Sequence, residues 1–163
     1  MTRYDTTKLT LLGGVALAFE LTALESCSVK GARAEALLPL ACLAALFARD
    51  SRQGLLASWI IGLLKDVGSA GPLGLHALLF LAAGWVVLQI RQILFRESPL
   101  TQIAVAFTVA CWVNTVTAVF VSLTVGRIPF GVIVGKTLLS ALLTAAVTPM
   151  LHLVLARAKW LVR

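Results

Sequence analysis

Six apolar runs, separated by five short charged or turn-rich connections, leave this chain very few ways to fold. The runs cover roughly residues 9–27, 34–48, 54–67, 73–95, 100–125 and 129–156. Between them lie SCSVKGAR (26–33), ARDSRQ (48–53), KDVGSAGP (65–72), RQILFRESP (91–99) and GRIP (126–129). A bilayer core of roughly 30 Å takes about 20 helical residues to cross. Backbone in lipid must satisfy its own hydrogen bonds, and the alternating pattern of a membrane barrel is absent from the sequence. The expected fold is therefore an all-α, six-helix transmembrane bundle, a single domain over residues 1–163.

Composition agrees. A chain that is 60% hydrophobic and 13% charged, with mean hydropathy +0.96, is too apolar for an ordinary soluble domain. The net charge of +7 does not point to nucleic acid, because the basic residues stand singly at the ends of apolar runs and form no stripe interleaved with aromatics. Cys27, Cys42 and Cys111 lack C-x-x-C spacing and fall in or beside apolar segments, so no disulfide framework is expected. His76 and His152 are too isolated for a ligand cluster, and neither a metal nor another cofactor is expected. Arg3 and Lys8 before LTLLGGVALAF have the order of a signal peptide, but Glu20 interrupts the run and no A-x-A site follows. Residues 9–27 are read as a retained first helix.

Lys and Arg counts give the orientation. The N-terminus, the second and fourth connections and the C-terminus hold nine, the other three connections hold four, and Lys136 lies inside the last run. That asymmetry places both termini in the cytoplasm and KDVGSAGP outside. The second and third runs, at about 15 and 14 residues, are either two thin spans or a re-entrant hairpin. The hairpin buries Arg49, Asp50 and Arg52 at roughly 2.5–3.5 kcal/mol each, so thin spans, shielded by longer neighbours or a partner or set in thinned bilayer, are the cheaper solution.

Three polar residues stand deep inside apolar runs. Glu20 and Lys136 fall at nearly the same depth below the outer surface, which suggests an ion pair between the first and last helices. In the alternative, Lys136 snorkels outward and Glu20 is protonated or meets a neighbour's polar face. Asn114 lies near mid-membrane among Thr108, Thr115, Thr117, Ser122 and Thr124, where an interhelical hydrogen bond or a substrate-lining role is expected. GVIVG, Gly131 to Gly135, is a G-x-x-x-G match open to internal packing or an external partner. Asp66, Ser69 and His76 are the right residue types for hydrolysis, but no nucleophile elbow or metal spacing accompanies them, and no catalytic residue is assigned.

The stretch GLLKDVGSAGPLGLHALLFLAAGWVV, followed by LQIRQILFRESPLTQIAVAF, resembles the MreD family of rod shape-determining membrane proteins. The resemblance covers roughly residues 54–107, about a third of the chain. It rests on Asp66, Gly71, Pro72, Leu73 and Gly74 in the turn, and on Arg91, Leu94, Phe95 and Arg96 in the next connection. Lys65 departs from the family pattern, where an apolar residue is commoner, and is read as partly neutralising Asp66, which itself either caps and hydrogen-bonds the turn or helps to shape a partner surface. The resemblance implies a non-enzymatic, multi-pass component of the bacterial inner membrane. It would pair with MreC and act with RodA, a class B penicillin-binding transpeptidase and MreB in lateral peptidoglycan synthesis and cell shape. Its basic cytoplasmic ends also suit anionic membrane lipid. The family's fold is similar to the S-components of energy-coupling-factor transporters, which supplies the alternative of a vitamin-binding transport subunit.

Overall fold

The computed structural model describes residues 13–18, 20, 22, 35–48, 50–69, 72–91, 99–124 and 129–157. Among these there are six helices and no strand. The first, α1, covers residues 13–18, and Glu20 and Thr22 are each in a wider, π-type turn. It is followed by α2 (Leu37–Phe47), α3 (Ser51–Gly68), α4 (Leu75–Ile90), α5 (Pro99–Thr124) and α6 (Phe130–Arg157).

Two of them, over Ile103–Thr124 of α5 and Gly131–Leu151 of α6, are long and apolar enough to cross a membrane. At 11 residues, α2 is only about 16 Å long. It occupies the centre: α3, α4, α5 and α6 all pack on it, and no residue from Leu37 to Leu46 is more than 8% exposed. A short helix there needs no lipid contact, so its length is set by its neighbours rather than by the bilayer. Pro39 is tolerated in its first turn because N–H groups at that end have no intrahelical acceptor.

The third helix differs from expectation. It runs for 18 residues, taking Ser51, Arg52 and Gln53 into its first turn and Lys65 and Asp66 into its last. Consecutive helical positions diverge by about 100°. Lys65 and Asp66 therefore face different neighbours, and Lys65 does not neutralise Asp66.

Backbone contact holds α3 to α4. A Cβ at Gly62 would stand 2.6 Å from Ala77 Cα and 2.7 Å from the His76 carbonyl oxygen. Both atoms are main chain and cannot rotate away. Gly62→Ala should therefore force the helices apart at about 1–3 kcal/mol, read as a lower melting temperature of the detergent-solubilised protein. Ser58, wholly buried, ties α3 to α2 by donating to the Ala41 carbonyl at 3.3 Å and to Gly54 in its own helix at 3.0 Å.

The outer pair, α5 and α6, is joined by a side-chain hydrogen bond from Asn114 Nδ2 to Ser140 Oγ, 3.2 Å. This is the interhelical role expected of an amide at that depth. Asn114→Leu should destabilise by about 0.6–2 kcal/mol, seen as a lowered melting temperature.

Candidate functional site

Three charged side chains, from three different helices, satisfy the helix ends of the α2–α3–α4 core. Asp66, near the end of α3 and 1% exposed, reaches across the turn to the start of α4. Its Oδ2 accepts from the backbone N–H of Gly74 at 2.9 Å and of Ala77 at 3.0 Å. Its Oδ1 accepts from the His76 N–H at 3.0 Å and lies 3.0 Å from His76 Nδ1. One carboxylate thus serves three main-chain donors that a helix start leaves without partners, at the end where the macrodipole favours negative charge. Gly74 makes the approach possible: its φ of +98° is left-handed, which glycine adopts freely and which turns the chain into α4. Pro72 and Leu73 complete the turn on the exposed side.

Glu20 does the same for α2. Its Oε2 accepts from the N–H groups of Ala36 and Leu37 at 3.0 and 3.1 Å, while its Oε1 is bonded to Lys65 Nζ. Glu35 Oε1 lies 3.6 Å from the same ammonium, and the Glu35 N–H donates to Thr144 Oγ1 of α6 at 3.1 Å. Lys65 is therefore the shared counter-ion of two largely buried glutamates. Such a pair is costly to break from one side, because the survivor stays buried and uncompensated. The expected partnership of Glu20 with Lys136 is not formed. Lys136 stands exposed on α6, and Glu20 and Lys65 meet across α1 and α3.

At the opposite end of α2, Arg91, which closes α4, donates through Nη1 to the Ala48 carbonyl at 2.6 Å and through Nη2 to Ser51 Oγ at 3.4 Å. A cation at a helix C-terminus answers the exposed carbonyls and the dipole. Arg91→Ala should cost about 1–2 kcal/mol, checked by thermal melting, with Arg91→Lys recovering part of it.

Ser69 Oγ donates to the Asp66 main-chain carbonyl at 3.2 Å, so the hydroxyl is engaged with backbone and is not presented to His76. Among the described residues no group of three His, Cys, Asp or Glu is placed to hold a metal. What the arrangement does is hold helix ends together through side-chain hydrogen bonds.

The sequence matches the family model of the rod shape-determining protein MreD over residues 7–159, nearly its whole length. The chain belongs to the MreD family. With the two long apolar helices of α5 and α6, this makes it a rod shape-determining membrane protein, of a family whose role is structural and not a known enzymatic one. No curated protein and no solved structure matches. The likeness to energy-coupling-factor S-components therefore has no support, and neither does the vitamin-binding alternative.

Of the residues that carried the MreD resemblance, Asp66 and Gly74 come together at the start of α4, beside Pro72 and Leu73, and Arg91 lies at the far end of the same helix. Gly71, Leu94, Phe95 and Arg96 lie outside the described residues. Sequence reasoning missed Glu35, the engagement of His76 with Asp66, and Lys65 as the partner of Glu20. Their signal was faint: a glutamate just before an apolar run, and a histidine ten residues beyond an acid across a glycine-rich turn.

Proposed function

We propose that this MreD-family protein is a non-enzymatic, six-span inner-membrane adaptor of the cell-elongation machinery, with both termini cytoplasmic. It binds MreC and supports lateral peptidoglycan synthesis by RodA and a class B penicillin-binding transpeptidase, in register with MreB. The observation that carries this reading is the family match over residues 7–159. The capped core adds a physical basis: Asp66 ties the start of α4 to the end of α3 through three backbone N–H groups, which preorganises the surface around Leu73. Preorganised surfaces lose less conformational entropy when they bind. That surface is apolar and open, with Leu73 81% exposed and Val67 and Leu78 also standing out. It suits the transmembrane and juxtamembrane part of MreC.

The test is recovery of MreC from native membranes on the tagged protein. Wild type should bring down MreC together with RodA-like proteins, and Leu73→Glu, at a position the core does not use, should lower MreC recovery several-fold at unchanged accumulation. Absence of MreC from the wild-type eluate, or recovery of an energising ATPase in its place, contradicts the proposal.

A further inference from the structure

The outer half of α6 carries a feature that the capped core does not use. Val132, Gly135, Lys136, Leu138, Leu139 and Leu142 line an open groove of about 530 Å³. From Val132 to Leu142 the helix rises about 15 Å. Gly131 and Gly135 open onto the same region: a Cβ at either would meet nothing within 4 Å. A glycine inside a helix costs roughly 1 kcal/mol relative to alanine, and no contact within the described fold compensates for it here.

Lys136 supplies the second observation. It is exposed, it stands six residues into α6, about 9 Å from the helix start, and no carboxylate among the described residues pairs with it. Glu20, the acid that matched its depth, is held by Lys65, as is Glu35. An ammonium at that depth extends its stem toward the headgroup layer, while the groove lies alongside that stem.

We infer that this groove is a binding site for one anionic phospholipid, its phosphate at Lys136 and an acyl chain along Gly135, Leu139 and Leu142. Two competing occupants fit less well. A second copy packed through Gly131 and Gly135 about a two-fold axis brings two Lys136 side chains together, like charge against like charge at membrane depth. A partner helix needs a carboxylate at the one depth that meets Lys136, whereas a phospholipid presents its anion and its hydrocarbon in the required order wherever the membrane surface lies. The site does not rest on the MreC reading and is on a different element from Leu73, which lies in the α3–α4 turn.

Native mass spectrometry of the full-length protein, released from vesicles of equal phosphatidylglycerol and phosphatidylcholine, tests it. Wild type and Lys136→Arg should retain one phosphatidylglycerol with roughly fivefold preference, the factor that one cation near anionic lipid supplies. Lys136→Gln should bring the preference close to parity, and Gly135→Leu should reduce retention of both lipids. Melting temperatures equal to wild type show that both variants are folded. Equal retention of the two lipids by wild type, meaning annular lipid only, overturns the inference. Unchanged preference in a folded Lys136→Gln, or displacement of the lipid by inorganic phosphate alone, does so too. A photo-crosslinker at Leu139 that captures a protein helix in native membranes, and no lipid, overturns it in favour of a partner.

Discussion

Asp66→Ala is expected to be the most damaging single substitution at the α3–α4 turn, costing about 3–5 kcal/mol. The carboxylate is buried and accepts from three backbone N–H groups and faces the His76 ring, so its removal strands several donors at once. His76→Ala removes only the ring contact and leaves the three main-chain bonds, and should cost about 1–2 kcal/mol. Asp66→Asn should fall between, since its amide NH₂ meets N–H donors where the carboxylate offered an oxygen. Steady-state accumulation in membranes and melting temperature after solubilisation measure all three. Equal losses for Asp66→Ala and His76→Ala would mean that the main-chain bonds to Asp66 carry no weight. The readout also separates a capping role from chemistry, because capping residues are lost as stability, whereas catalytic residues are lost as activity in a folded protein.

Lys65→Met should be about as harmful, at about 3–5 kcal/mol, because it leaves Glu20 and Glu35 facing each other in a largely buried space. Removing one of those charges should relieve it: Lys65→Met with Glu35→Gln is expected to accumulate better than Lys65→Met alone. Exchanging the charges, Glu20→Lys with Lys65→Glu, should not restore the protein. The N–H groups of Ala36 and Leu37 need an acceptor, and a lysine at position 20 places a cation against the positive end of α2. A simple ion pair would tolerate the exchange. A pair that is also a helix cap would not.

The all-helical architecture was legible because apolar runs bounded by charges, glycine and proline have no other low-energy fold in lipid, and because turn residues such as Gly74 announce a change of direction. The caps were legible only in part. Asp66 and Arg91 stood out as charges at the edges of apolar runs, but which helix end each would serve depends on how the helices lie beside one another. Glu20 shows the reason most clearly. Depth along a helix is readable from residue counts, and by that count Lys136 matches Glu20 while Lys65 falls in the outer connection. Which helix lies beside which is not readable that way, and it is α3 that brings its lysine to Glu20. Reading Lys65 as part of a connection beside Asp66 hid the fact that α3 continues to Gly68 and turns the two side chains apart. The central place of α2 was equally hidden, since an 11-residue apolar helix reads alike as a thin span and as a buried strut.

The central claim is that Glu20, anchored by Lys65, fixes the start of the buried helix α2, and a pair of double-mutant cycles on melting temperature tests it most directly. The first cycle combines Glu20→Gln with Lys65→Met, the second combines Glu20→Gln with Lys136→Met. Glu20 and Lys65 should couple by about 1.5 kcal/mol or more, and Glu20 and Lys136 should be additive within about 0.5 kcal/mol. Additive effects at Glu20 and Lys65, with strong coupling between Glu20 and Lys136, would contradict it.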